Sequence, residues 1–181
     1  MLLFLLFTGL RYSEAVLLTW DRVDLDDRTM HFPDPKNHKP LTLPLSDYLM
    51  DLLPRRRSVA RNAFVFPGEG RRGHLVESRR QMAKVAARSG VTFTPHDLRR
   101  TFITVAEGLD VPPYAIKRLV NHSMRNDVTA GYIVSDVERL RRPMQRVTDF
   151  LCAKMGLFAG ADVYPFTAGG PRGPGQRSRR A

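Results

Sequence analysis

The stretch TPHDLRRTF, residues 94–102, combines the start signals of a helix with a concentration of positive side chains. Thr94 suits the N-cap, a proline follows at the first helical position, and Asp97 stands where a capping box has its acid. On this helix His96 and Arg99 are three residues apart and share a face. Backbone N–H groups, the helix dipole and a guanidinium fork all favour an anion at such a helix start. We therefore predict a phosphate beside His96 and Arg99.

The chain as a whole is strongly basic, with 29 lysines and arginines against 18 acidic residues among its 181 positions. A formal charge of +11 and a pI near 10.6 favour nucleic acid or an anionic membrane surface as partner, although a basic protein without such a partner has the same composition. The 43% hydrophobic content is that of a globular protein of one domain. The single cysteine, Cys152, excludes an internal disulfide and a CxxC zinc site and favours a reducing, cytoplasmic setting.

The two ends of the chain differ from its middle. The apolar opening MLLFLLF is too short for a membrane span and lacks the features of a signal peptide, so it predicts a buried helix that breaks at Thr8-Gly9. Because the chain begins in apolar core sequence, we expect the domain to be cut from a longer protein. Residues 159–181 are rich in Gly, Pro and Arg and are expected to be disordered, as a DNA-contacting tail, a linker or read-through without a role.

Between these ends, the hydrophobic periodicity predicts a mainly α-helical α+β domain over residues 1–158, with a small antiparallel hairpin. Its strands are TMHF and LTLPL, Lys36 lies at or near their turn, and DRVDLDD is a polar turn. Helices are expected from Ser13 to Trp20, from Ser46 to Arg57, from about Val76 to Arg88, from Thr94 to Gly108, from about Pro112 to His122, and after Ser135, where Pro143 should kink or split the last one.

Further candidates for chemistry follow one another along the chain. TGLRYSEAV contains Arg11, LVNHS contains His122, and Tyr132 in GYI comes ten positions later. Singly, such residues are most often surface charges or core tyrosines. Taken in order with the hairpin lysine and HDLRRTF, they resemble the catalytic domain of the tyrosine recombinases, the phage-integrase family. The resemblance runs from the first residues to about residue 150, and its most specific element is the H-x-x-R box followed by a histidine and a tyrosine.

The resemblance implies the fold of the DNA breaking-rejoining enzymes and the chemistry of site-specific recombination. Tyr132 would attack the scissile phosphate, leaving a 3′-phosphotyrosine and a free 5′-hydroxyl. A phenol is mostly protonated at neutral pH, so His96 is the candidate general base, and Lys36, taken in preference to Lys39, is the candidate general acid.

The remaining site residues would bind the phosphate itself. Arg11 and Arg99 would clamp the non-bridging oxygens and stabilise the transition state, and His122 would hydrogen-bond the phosphate or position the tyrosine. In this family two arginines take the role that metal ions have in many phosphoryl-transfer enzymes. The resemblance therefore implies no metal and no nucleotide cofactor.

Double-stranded DNA is the partner that the resemblance implies, in a bacterial or phage-encoded, nucleoid-associated protein. Four protomers would act on two duplexes, with the C-terminal helix docked on a neighbour; alternatively this helix packs on its own domain. The predicted phosphate-backbone contacts lie in RRGHLVESRRQMAKVAAR, which otherwise is a solvated helix face; they are Arg71, Arg72, Arg79 and Arg80.

The sequence also departs from the family pattern. Asn121 stands where a glycine is commoner, and the first helical segment and a separate N-terminal DNA-binding domain are missing, so DNA binding should be weak and salt-dependent. A truncated, non-catalytic DNA-binding remnant is therefore one alternative function. The other is a metal-dependent hydrolase using His96 and His122 with Asp97 or Asp127, although no HExxH-type spacing supports it.

Overall fold

The computed structural model describes residues 1–35, 40–122 and 137–157, and in these ranges it confirms the predicted mainly α-helical α+β class. The elements there are seven α-helices, one short 3-10 helix (Trp20–Arg22) and a three-stranded antiparallel sheet: α1 (Leu2–Thr8), α2 (Tyr12–Val16), β1 (Val23–Asp24), β2 (Thr29–Phe32), β3 (Leu41–Pro44), α3 (Asp47–Arg57), α4 (Arg79–Ser89), α5 (Pro95–Gly108), α6 (Pro113–Leu119) and α7 (Glu138–Lys154). No helix within these ranges is both long enough and apolar enough to cross a bilayer.

The core lies where α1 and α5 pack on each other and on α7. Phe4 and Phe7 of α1 and Phe102 of α5 have no exposed surface, which confirms that the apolar opening of the chain is a buried helix. The helix ends where predicted, because Gly9 adopts a left-handed conformation with φ of 64° and its N–H bonds back to the carbonyl of Leu5.

The sheet confirms the predicted strands TMHF and LTLPL as β2 and β3, and it adds a third strand. Met30 at its centre is fully buried and pairs with Val23 on β1 and with Leu43 on β3. The prediction of a simple polar turn over DRVDLDD was therefore wrong. A strand of two residues is too short for an alternation of buried and exposed residues to be recognised in the sequence. Asp24 belongs both to this strand and to the turn that follows it, because its carboxylate accepts hydrogen bonds from two backbone N–H groups of that turn.

The second helix is shorter than predicted and begins earlier. Ser13 lies inside α2, because the N-cap position is Arg11. The helix ends at Val16 rather than at Trp20, since the carbonyl of Leu18 accepts a hydrogen bond from the N–H of Val65 at 2.9 Å, Thr19 is extended, and Trp20 begins a separate 3-10 helix. A long-range pairing, invisible to local periodicity, thus replaces the end of the predicted helix.

The helices around the middle of the chain follow their caps. Ser46 and Thr94 are the N-caps of α3 and α5, as predicted. The basic helix α4 begins at Arg79 rather than Val76, because the preceding chain is tied to the core by the Leu75 N–H. That N–H bonds to the carbonyl of Phe66 at 2.8 Å.

The last described helix, α7, packs on its own domain. Leu140, Met144, Val147 and Leu151 form its buried face, which contacts α5, α6 and β3. The prediction was that Pro143 kinks or splits this helix; the helix passes through Pro143 without interruption, which excludes the split, and the kink stays a prediction. Buried residues on both sides of the proline hold the two halves on the same core surface. The predicted cap, Ser135, lies outside the described residues.

Candidate active site

The start of α5 places His96 and Arg99 on consecutive turns of one helix. Thr94 and Asp97 form the predicted capping box: the Asp97 N–H donates to the Thr94 hydroxyl at 3.3 Å, and the Asp97 carboxylate accepts from the Thr94 N–H at 2.9 Å. Hydrogen bonds from Thr94 hold the pKa of the Asp97 carboxyl below its ordinary value. With the first turn fixed in this way, His96 is exposed to solvent and Arg99 points into the protein.

Arg99 is a buried cation with a single backbone anchor. Arg99 is only 5% exposed, and its Nη1 donates to the backbone carbonyl of Gly9 at 2.8 Å. Burial, followed by the neighbouring charge of Arg11, lowers the pKa of Arg99 to about 10. The guanidinium therefore remains charged at neutral pH, in surroundings that strengthen its attraction for an anion.

The carbonyl that holds Arg99 depends on glycine at position 9. The residue has a φ of 64°, and a Cβ there would lie 2.6 Å from Cδ1 of the buried Phe102 ring. The conformation is unfavourable for most other residues, and a Cβ would force the Phe102 ring to shift, so the close approach of α1 to α5 and the anchor for Arg99 both depend on this glycine. The carbonyl also belongs to the C-terminal end of α1, where the helix dipole favours a cation.

Arg11 lies at the N-cap of α2 and is tied to two acceptors. Its Nη1 donates to Oε1 of Glu14 at 3.0 Å and to the carbonyl of Asn121 at 2.9 Å. Its backbone N–H donates to the other carboxylate oxygen, Oε2 of Glu14, at 3.0 Å. The Arg11 side chain is 25% exposed, whereas that of Glu14 is 4% exposed. Glu14 is thus a buried carboxylate that holds the half-buried Arg11 in place.

His122 directly follows Asn121, whose backbone carbonyl accepts the hydrogen bond from Arg11. Asn121 adopts a left-handed conformation with φ of 51° and ends α6 in a Schellman motif. The motif's two hydrogen bonds run from the N–H of Asn121 to the carbonyl of Arg118 and from the N–H of His122 to that of Lys117, at 3.1 and 2.8 Å. Asn121 is buried, and the imidazole of His122 after it is exposed. The helix end therefore fixes both a carbonyl for Arg11 and the position of His122.

The structure thus brings part of the predicted constellation together. Arg11 and Arg99 are close enough for one charge to lower the pKa of the other, and each is held by a carbonyl at the C-terminal end of a helix. His96 lies one turn before Arg99, and His122 lies next to the carbonyl that holds Arg11. Lys36 and Tyr132 fall outside the described residues.

The arginines predicted to contact DNA are exposed in two segments. Arg71 and Arg72 lie in the loop before α4, and Arg79 and Arg80 open the helix itself, where Arg79 forms an ion pair with Glu77. No residue of α4 is buried. Two basic residues that the sequence analysis did not single out extend this surface, since Lys84 and Arg88 follow Arg80 at intervals of four and form one stripe with it.

Two further residues of the site escaped the sequence analysis. Glu14 could have been recognised from its position three residues after Arg11 on a helix start, where the two side chains meet. Asn121 was noticed only as a departure from glycine. Its left-handed conformation explains why glycine suits the position, but its hydrogen bond to Glu14, at 2.8 Å, joins residues 107 positions apart and has no local signal.

Asp97, one of the two acids suggested for a metal site, stabilises the start of a helix instead. The Asp97 carboxylate accepts hydrogen bonds from the N–H and the hydroxyl of Thr94 and so fastens the start of α5. Asp127 lies outside the described residues. Over the ranges that are described, no three His, Cys, Asp or Glu side chains are grouped to hold a metal ion.

Sequence comparison matches most of this chain to known proteins. A family model described as the phage integrase family matches residues 1–139, a range that includes all six predicted catalytic positions. Tyrosine recombinase XerA of Thermococcus kodakarensis is 31% identical over 146 residues, which cover 76% of this chain and 51% of XerA. Prophage integrase IntF of Escherichia coli K12 is 25% identical over 159 residues, which cover 84% of this chain and 34% of IntF. The chain thus spans about half or less of the length of these curated relatives.

Solved structures show the same architecture. The integrase from mycobacterium phage Brujita aligns with a TM-score of 0.64 and 26% identity, over 81% of this chain and 50% of that one. The XerH site-specific recombinase bound to its difH substrate aligns with a TM-score of 0.57 and 20% identity, over 77% of this chain and 43% of that one. At that level of identity, the likeness to XerH concerns the fold.

Proposed function

The chain belongs to the phage integrase family, and from this premise we propose that it is the catalytic domain of a tyrosine-type site-specific DNA recombinase. The observation that carries the proposal is the pair of anchored guanidiniums, Arg11 and Arg99, with exposed His96 and His122 beside them. Fixed arginine forks match the non-bridging oxygens of a phosphodiester in both charge and geometry. The substrate proposed is therefore the phosphate backbone of double-stranded DNA.

In the proposed reaction, the phenolic oxygen of Tyr132 attacks the scissile phosphorus. A bond forms between this oxygen and phosphorus, the bond to the 5′-oxygen breaks, and a 3′-phosphotyrosine and a 5′-hydroxyl result. His96 accepts the phenolic proton, and Lys36 donates a proton to the departing oxygen. The 5′-hydroxyl of another strand then attacks the phosphotyrosine, a new bond to its oxygen forms, and the bond to Tyr132 breaks, so that each step exchanges one phosphoester bond for another.

The described part of the site would act on the charge of the phosphate. Arg99 is held in buried surroundings, where a cation stabilises developing negative charge more strongly than it does in water. Arg11 would bind a second oxygen, and His122 would donate a hydrogen bond to the same group. Because both arginines are anchored before DNA arrives, little reorganisation is needed as the transition state forms.

Two surfaces would serve the DNA and neighbouring protomers. The stripe of Arg80, Lys84 and Arg88 on α4, with Arg71 and Arg72 before it, provides a row of exposed cations for backbone phosphates. Four copies would act on two duplexes. Since the apolar face of α7 is buried in its own domain, an apolar contact between protomers would use the exposed residues that directly follow the helix, Met155 and Leu157.

The test is a covalent-adduct assay on the whole 181-residue chain. The protein is mixed with a nicked suicide DNA substrate in the presence of EDTA, and a DNA-shifted band is sought on a denaturing gel. The expected result is a shifted band that disappears in Tyr132→Phe and persists in Tyr114→Phe, a matched change at a tyrosine of α6.

The other outcomes distinguish the alternatives. DNA binding without an adduct in any variant contradicts catalysis and supports the non-catalytic remnant. Cleavage that EDTA abolishes contradicts the tyrosine mechanism and supports a metal-dependent hydrolase.

A further inference from the structure

Three residues at the site form a closed ring of hydrogen bonds, in which Asn121 takes part through its side-chain amide and its backbone carbonyl. Nη1 of Arg11 donates to Oε1 of Glu14 at 3.0 Å, and Nδ2 of Asn121 donates to the same oxygen at 2.8 Å. The backbone carbonyl oxygen of Asn121 accepts a hydrogen bond from the same Nη1 of Arg11 at 2.9 Å, which closes the ring. Asn121 therefore contacts both members of the Arg11–Glu14 ion pair.

The conformation of Asn121 and its side chain serve different purposes. The left-handed backbone, with φ of 51°, directs its carbonyl to Arg11, and glycine would adopt that backbone more readily than asparagine does. The side-chain amide adds a donor that glycine lacks. This donor reaches Glu14, whose side chain is 4% exposed. A buried carboxylate requires hydrogen-bond donors, and Arg11 and Asn121 are the ones that the described chain supplies.

The ring also determines how Arg11 faces the site. Both hydrogens of Nη1 are engaged, one by Glu14 and one by Asn121. Among the described residues nothing binds Nε or Nη2, so this edge of the guanidinium is the one open to an anion. If Glu14 were free to rotate, the ion pair would still form, but the open edge would no longer have one orientation.

We propose that the side chain of Asn121 is a positioning residue for Arg11: by fixing the Glu14 carboxylate, it holds the open edge of the guanidinium towards the scissile phosphate. The inference rests on the proposed function, because it assigns Arg11 to the phosphate. Asparagine at this position thereby adds a constraint on Arg11 that a glycine at the end of α6 would not provide.

Two substitutions separate the side chain from the backbone. Asn121→Gly keeps the left-handed conformation and the carbonyl but removes the donor to Glu14. Asn121→Asp keeps the shape but replaces the donor by a second carboxylate beside Glu14. The matched control is Asp110→Gly, because Asp110 is an exposed left-handed residue, with φ of 53°, at the far end of α5.

The first measurement needs no catalytic activity. In the nitrogen-labelled chain, NMR resolves the guanidinium N–H signals of an arginine held by a carboxylate, and Arg11→Lys identifies those of Arg11. The expected result is separate Nη signals for Arg11 in the unsubstituted chain and in Asp110→Gly, and averaged signals in Asn121→Gly. Unchanged Arg11 signals in Asn121→Gly, with the fold intact, would overturn the proposal.

The second measurement is the single-turnover rate of adduct formation at saturating DNA. Asn121→Gly should lower it about tenfold and Asn121→Asp about a hundredfold, since small misplacements of an anchoring group have costs of this order. The DNA affinity of both Asn121 variants should stay unchanged. The adduct rate of the control, Asp110→Gly, should equal that of the unsubstituted chain. An adduct rate in Asn121→Gly equal to that of the unsubstituted chain would refute the positioning role. If the unsubstituted chain forms no adduct, the proposed function fails, and the NMR result alone decides whether Asn121 orders Arg11.

Discussion

Two residues with left-handed backbones, Gly9 and Asn121, hold the two guanidiniums of the candidate site. Each ends a helix and presents its carbonyl to an arginine that comes from a distant part of the sequence. Helix carbonyls near a C-terminus carry partial negative charge, so both cations are stabilised by the backbone carbonyls that hold them. The arrangement of the two arginines at the candidate site thus depends on backbone conformation at two single positions.

Replacement of Gly9 by alanine tests this dependence. The left-handed conformation would cost an alanine roughly 1–2 kcal/mol, and the contact with Phe102 adds about 1–3 kcal/mol of overpacking. We expect Gly9→Ala to lower the free energy of unfolding by about 2–5 kcal/mol, measured by urea denaturation.

Gly90→Ala is the control for this prediction. Gly90 has a φ of 72° at the end of α4, but a Cβ there would meet nothing within 4 Å. Only the conformational cost of roughly 1–2 kcal/mol should remain. Equal losses in the two variants would contradict the role assigned to the Phe102 contact.

The helix that bears His96 and Arg99 owes its start to a local device. Thr94 and Asp97 exchange hydrogen bonds across the first turn of α5, and these bonds lower the pKa of Asp97. A carboxyl whose pKa is lowered on folding contributes stability above its unfolded-state pKa and loses it as the pH falls through the folded-state value. The ordinary value is 3.8, so the contribution is complete at neutral pH.

Asp97→Asn should therefore destabilise the chain in a pH-dependent way. The melting temperature of the variant is expected to lie below that of the unsubstituted chain at neutral pH. The difference should shrink as the pH falls below 3.8 and through the lowered pKa, because Asp97 then becomes protonated. A pH series of thermal melts measures this difference. Asp149→Asn, a change at an exposed acid of α7, should show no comparable trend.

Local signals predicted the elements well and their long-range connections poorly. The caps Ser46 and Thr94 and the break at Gly9 were read correctly, since each acts within one turn of chain. The end of α2 was not, because it depends on pairing between Leu18 and Val65. The hydrogen bond from Asn121 to Glu14 is likewise a long-range connection. The residue types are visible in the sequence, but their contact depends on how the end of α6 meets α2 in the fold.

Over the whole molecule, positive charge is concentrated away from the core. Helix α4 carries Arg80, Lys84 and Arg88 along one side and buries none of its residues, so its sequence is not constrained by packing. A chain of net charge +11 is attracted to any polyanion, but a regular row of cations can follow a phosphate backbone.

The salt dependence of DNA binding tests whether this row is the contact surface. Each phosphate contact contributes about −0.9 to the slope of log affinity against log salt concentration for B-DNA. Changing the three stripe residues to glutamine should therefore reduce the magnitude of the slope by roughly 3, as measured by fluorescence anisotropy. The control removes the same charge from three exposed arginines of the chain around the end of α3: Arg55, Arg57 and Arg61. An equal reduction in both triple variants would show that net charge, rather than the stripe, governs binding.

The carbonyl anchors of the two arginines have an evolutionary consequence. Every amino acid supplies the same carbonyl oxygen, so most positions on α1 and α6 can change in sequence without releasing the two arginines, provided that the helices keep their packing. Selection then acts on the few residues that set where each helix stops. Homologues that have diverged widely can keep the two arginines in the same positions for this reason, and a screen for impaired mutants should find substitutions clustered at helix ends rather than spread along the helices.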